Sequence, residues 1–260
     1  MEAVLERQEL DEEMKTLKPQ DQLLHPDLKG RDPDDNSTQI PYVKGMLFLK
    51  QLEDTFGRER FDPFLRGWFD SHMFRSATTQ DFLTYLEKNL LQSFPDLAKR
   101  VPVQEWVTKP GLPASAPNPK AEAFERVDTA AKRFLSGTPA GSLPTEGWST
   151  QHWMRLLNDM PDPAEKKQMA ALDAAFHFTQ SGNDEILDKW LIMSAKSGYE
   201  PALERMQQFL THVGRMRYIV PIYTELGKTE AGKARAKAIY KKARAGYHPI
   251  AQAKIDELLK

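Results

Sequence analysis

The side chains able to do chemistry are few and widely spaced. The chain carries 6 histidines and 0 cysteines, with 36 basic and 37 acidic residues. Without cysteine there is no disulfide, no thiol nucleophile and no Cys-ligated zinc or iron–sulfur site. His25, His72, His152, His177, His212 and His248 never approach the i, i+4 spacing with which one helix face chelates zinc; the nearest two, His152 and His177, are 25 positions apart. H-E-x-x-H is absent, as are the Gly-rich phosphate and dinucleotide loops and the G-x-S-x-G elbow. Each histidine therefore reads as a surface or hydrogen-bonded core residue, and no metal ligand is assigned. What remains is Tyr42, at the head of a helical stretch, and an R-x-R pair, Arg215 and Arg217. A phenol with a pKa of about 10 stays protonated at neutral pH and can donate to a developing oxyanion. A guanidinium presents a planar fork that matches a carboxylate. Alone, such residues are commonly a locally bonded tyrosine and solvated arginines.

The elements that must position them read as helices throughout, so the expected class is all-α. Residues 2–17 form an exposed amphipathic helix rich in Glu and Lys. Prolines 19, 26 and 33, Gly30 and several Asp residues make 18–36 a loop. Residues 42–56 carry Met46, Phe48, Leu49, Leu52 and Phe56 at helical spacing before Gly57, and an aromatic-rich helix over 60–73 buries Phe61, Phe64, Trp68 and Phe69 as core. Thr78 and Asp81 suggest a capping box that opens a helix to Leu91. Four prolines within 108–120 exclude helix and sheet interior and mark a linker. Beyond it, helices are expected over 121–136, 149–159, 163–181, 184–197, 200–213, 229–245 and 249–259, with Gly182, Gly198 and Gly227 as C-terminal caps. Helix hairpins joined by short loops imply HEAT-like or armadillo-like αα stacking.

Four passages, in order, resemble the leukotriene A-4 hydrolase branch of the aminopeptidase N family of zinc peptidases. Ile40-Pro41-Tyr42-Val43-Lys44-Gly45, continuing to Leu52-Glu53, is similar to that branch's Pro-Tyr-x-Lys-Gly signature. Phe82-Leu83-Thr84-Tyr85-Leu86 follows a Thr-Thr-x-Asp start, and Trp106 to Pro113 resembles the Trp…Pro-Gly-Leu-Pro passage out of the catalytic domain. Gly214-Arg215-Met216-Arg217-Tyr218 resembles the late Gly-Arg-Met-Lys-Phe motif, with Arg where that pattern has Lys.

The resemblance implies that 1–107 are the helical end of a thermolysin-like peptidase domain, 108–120 the linker and 121–260 the C-terminal αα-superhelix. It implies that the zinc ligands and the loop gripping the substrate amine belong to missing upstream domains of the same polypeptide. No cofactor is then held by this chain, zinc serves the full-length parent, and the substrate is a short peptide. Tyr42 maps onto the oxyanion-stabilising tyrosine, Arg215 and Arg217 onto the residues that meet the substrate carboxylate, and Asp34 onto an acidic site residue. Ser37 stands where epoxide-opening members carry a second tyrosine, which points to peptide rather than epoxide hydrolysis. Gly45 either admits a close backbone approach or is a tolerated helical glycine.

A net charge of −1 gives no global field for nucleic acid or membrane, no apolar run of about 18 residues is present, and the basic helix over 228–244 reads as solvated. Met1 to Arg7 is charged, without the apolar core of a signal peptide, and the compartment stays open. Loss of upstream domains would expose apolar surface on 1–105 and favour self-association. The competing reading is a non-enzymatic helical scaffold that binds a partner protein on its concave face.

Overall fold

The computed structural model describes residues 1–31 and 38–260, in two compact units, Met1–Lys120 and Ala121–Lys260. Among the described residues every regular element is helical.

In the first unit, α1 (Glu2–Met14) is less exposed than its polar sequence suggests. Leu5 and Leu10 are buried, because the few apolar positions of the helix are what seats it on the core. A π-helical turn, Ile40–Lys44, runs directly into α2 (Gly45–Phe56). Gly57, at φ 74° and ψ 155°, turns the chain into α3 (Arg58–His72), a conformation that a side chain would disfavour. Thr78 and Asp81 form the anticipated capping box of α4 (Thr79–Leu86), which continues as a π-helical turn, Glu87–Leu91. Two short helices, α5 (Pro95–Ala98) and α6 (Val103–Thr108), lack a periodic signal of their own.

The core joins Leu10, Val43, Leu47, Leu52, Leu86 and Trp106, with Phe48 stacked on Trp106 at 5.6 Å. Phe69 corrects the expected aromatic core. It is 64% exposed, because it lies roughly 90° round the helix from the centre of the Phe61, Phe64, Leu65 and Trp68 stripe. The proline-rich passage 108–120 is strapped to this unit: Gln51 Nε2 donates to Ser115 Oγ (2.9 Å), Gly111 N to Gln22 Oε1 (3.0 Å) and Arg7 Nη1 to the Pro117 carbonyl (3.1 Å).

The second unit contains α7 (Glu125–Leu135), α8 (Thr150–Asn158), α9 (Lys166–Phe176), α10 (Asp184–Ser197), α11 (Leu203–His212), α12 (Met216–Leu226), α13 (Glu230–Ala243) and α14 (Pro249–Leu258). Helix α10 packs on both α8 and α12, and α12 on α14, while α11 packs on α13. Alternate helices thus stack on one another, as an αα-superhelix requires.

Three expectations need correction here. Helix α9 starts at Lys166 rather than 163, since Glu165 supplies the cap through a reciprocal bond with Gln168, and Asp162 binds Lys196 (2.6 Å) instead. It stops at Phe176, where His177 turns left-handed (φ 55°) and Asp173 takes the Thr179 amide (2.8 Å) and hydroxyl (2.6 Å). Gly182 caps no helix, whereas Gly227 and Gly198 are the C-terminal caps expected, of α12 in right-handed and of α10 in left-handed geometry (φ 60°). Helix α12 itself was not anticipated. Pro221 inside it removes one backbone donor, but Ile219, Ile222, Tyr223 and Leu226 are buried along one face and hold the helix.

Candidate functional site

Tyr42 sits in the middle of the π-helical turn. Ile40 and Val43 are buried at 1% and 2%, whereas Tyr42 is 70% exposed, so the turn is anchored on one side and presents the phenol on the other. The start of this segment is held by Glu13, whose Oε2 accepts from the Gln39 amide at 2.8 Å. Lys44 is fully buried. Its Nζ donates to the Gln22 carbonyl (2.8 Å) and to the Lys109 carbonyl (2.9 Å), tying the loop after α1 and the proline-rich strap to the turn that carries Tyr42. Burial pushes the Lys44 ammonium down to about 8. A neutral amine still has two N–H groups, enough for both carbonyls.

Gly45 needs no close approach, since a Cβ there would meet its nearest neighbour, Leu24 Cδ2, at an ordinary 3.9 Å. It is a tolerated helical glycine. Asp34 and Ser37 lie outside the described residues.

In the second unit, Arg215 is the cap residue of α12 and Arg217 lies in its first turn. Both guanidinium groups lie near the ring of Tyr218, at 5.6 and 5.7 Å from its centroid. Their electrostatic situations differ. Arg217 Nη2 binds Glu185 Oε2 at 3.1 Å, with Nη1 3.5 Å from Oε1. The Tyr218 hydroxyl donates to that same Oε1 at 2.6 Å, which raises the phenol's pKa together with burial. Among the described residues, Arg215 is joined to no carboxylate.

One turn along α10, Asp188 Oδ1 is buried without a hydrogen-bond partner among the described residues. Burial, and then the charge of Glu185, push this carboxyl up to about 8 against the opposing pull of Arg217 and Lys189. Glu185 carried no sequence signal, because its partners Arg217 and Tyr218 lie some thirty positions away on another helix. Lys44 stood inside a quoted motif, but its burial is a tertiary fact.

Five of the histidine side chains, those of His25, His72, His152, His212 and His248, have hydrogen-bond partners close by. His152 is buried between Arg126 (3.0 Å) and Ser149, while His72 and His212 reach the carbonyls of Trp68 and Gln208. Among the described residues no three His, Asp or Glu side chains converge. Tyr240, the aromatic on the basic helix, is buried, its hydroxyl donating to the Gln252 carbonyl at 3.0 Å.

Residues 2–106 match the peptidase family M1 domain, and residues 148–259 match the family described as leukotriene A4 hydrolase, C-terminal. Between them these two matches span most of an all-helical chain. The chain belongs to the leukotriene A4 hydrolase family, corresponding to its C-terminal part.

A leucine aminopeptidase 2 of Ajellomyces capsulatus is 27% identical over 246 residues, covering 89% of this chain and 38% of the relative. A leukotriene A-4 hydrolase homolog of Botryotinia fuckeliana is 28% identical over 241 residues, covering 90% and 37%. The yeast leukotriene A4 hydrolase solved in complex with bestatin superposes with a TM-score of 0.80 at 24% identity, covering 100% of this chain and 46% of that one. That likeness concerns the fold. The chain thus spans well under half the length of the curated relatives it matches.

Proposed function

We propose that this chain supplies the substrate-facing phenol and guanidinium of a zinc aminopeptidase acting on short peptides. The metal and the pocket for the N-terminal residue would come from parts of the polypeptide outside the sequence described. Tyr42 donates its proton in a hydrogen bond to the oxyanion that forms as the scissile carbonyl becomes tetrahedral. In the second unit, Arg215 offers its guanidinium fork to a peptide carboxylate. The observation that carries the reading is the held-out phenol: Tyr42 is 70% exposed while the turn around it is anchored by buried Ile40, Val43 and Lys44. Arg215, free of any carboxylate among the described residues, supports the second role.

Two arms test this. The purified chain alone should hold no stoichiometric zinc and should leave aminoacyl-anilides intact; one tight zinc per molecule, or turnover, argues against a metal supplied from outside. In the polypeptide that joins this chain to H-E-x-x-H, Arg215→Gln should raise KM for a free-acid tripeptide and leave its C-terminal amide unaffected. An equal effect on acid and amide removes Arg215 from the carboxylate role.

A further inference from the structure

We infer that Glu185 is a specificity-determining residue that takes Arg217 out of substrate recognition, so that a peptide carboxylate is read by Arg215 alone. The inference rests on the proposed role of Arg215 and adds to it a division of labour between two arginines that the sequence places side by side.

Both oxygens of Glu185 are committed. Oε2 binds Arg217 Nη2 (3.1 Å), and Oε1 accepts from the Tyr218 hydroxyl (2.6 Å) with Arg217 Nη1 nearby at 3.5 Å. The carboxylate is fixed from behind. Glu185 lies in the first turn of α10, where the helix dipole favours negative charge, and Asn183 caps that turn by accepting from the Glu185 amide at 3.0 Å. Tyr218 is buried, so its phenol cannot swing away without opening the α10–α12 contact.

The consequence is electrostatic. A guanidinium already sharing a carboxylate in near-bidentate geometry presents little uncompensated charge to a second anion, whereas Arg215 is joined to no carboxylate among the described residues. Two positions identical in residue type therefore differ in what they offer a ligand, and the difference is set by a residue on another helix.

The test uses this chain with triglycine and triglycinamide as probes, following the side-chain Nε resonances of Arg215 and Arg217 by NMR. In the native chain, triglycine should shift the Arg215 signal and leave Arg217 in place, and triglycinamide should shift neither. Glu185→Gln keeps the shape and can still accept from Tyr218. It should bring Arg217 into the titration and tighten triglycine roughly 2- to 5-fold, the span of an exposed ion pair. Adding Arg217→Gln to that variant should abolish the gain. If Arg217 responds in the native chain, or stays silent after Glu185→Gln, Glu185 does not govern specificity. If Arg215 responds to neither probe in any variant, the carboxylate role itself falls, and the inference with it. An unchanged amide spectrum elsewhere in α10 and α12 confirms that each variant keeps the fold.

Discussion

Lys44 holds an ammonium group out of water, with two backbone carbonyls as its hydrogen-bond partners among the described residues. Its folded pKa, about 8, lies below the ordinary value of 10.5. Between those limits the unfolded chain binds the proton and the folded chain does not, so the contribution of this residue to stability rises with pH across about 8 to 10.5. Lys44→Met removes that slope and leaves the Gln22 and Lys109 carbonyls unpaired, at about 1–3 kcal/mol each. Chemical denaturation should show the gap between native chain and variant widening from pH 8 to pH 10. Asp188 runs the opposite way. Its carboxyl, raised from 3.8 to about 8, stays protonated in the folded chain while the unfolded chain ionises, so stability is lost as pH rises from about 4 to 8. Asp188→Asn should therefore melt above the native chain at pH 8, with the difference shrinking toward pH 5. A constant difference would place the cause elsewhere. Neither group could be singled out from sequence, because burial is a consequence of packing.

Helix α12 and its junction with α13 show what sequence reading reached and what it missed. Asn183 and Gly198 bracket α10 as their cap chemistry requires, and the observed helix, Asp184–Ser197, has the anticipated bounds. By contrast, Pro221 concealed α12, although its apolar face is buried. Propensity argues against a proline inside a helix, and only the neighbours α10, α13 and α14 supply the burial that outweighs it. The same locality limited the site. Tyr42, Arg215 and Arg217 stand out as candidates from motif and residue type, whereas Glu185 does not, because an ion pair between helices leaves no periodic trace. Gly232, in the first turn of α13, gives a test at this scale. A Cβ there would lie 2.2 Å from the Leu226 carbonyl oxygen, which is backbone and cannot swing aside. Although alanine gains about 1 kcal/mol over glycine in a helix interior, Gly232→Ala should lower the melting temperature. A rise would mean that α12 and α13 do not approach as described.

For the whole molecule, the first unit ends α3 in a group of exposed apolar side chains: Phe69 at 64%, Met73 at 57% and Phe74 at 101%. We propose that they drive concentration-dependent self-association of this chain. Light scattering should show mass rising with concentration, and serine at these three positions should suppress it. The fold itself, with the M1 match over 2–106 and the leukotriene A4 hydrolase match over 148–259, fixes the family. The function proposed for it turns on one phenol. The most direct measurement is kcat and KM for a free-acid tripeptide with Tyr42→Phe in the polypeptide that includes the metal-binding part. Loss of the oxyanion donor predicts kcat lower by about 10²–10³ with KM nearly unchanged. A variant that turns over at the native rate would contradict the account.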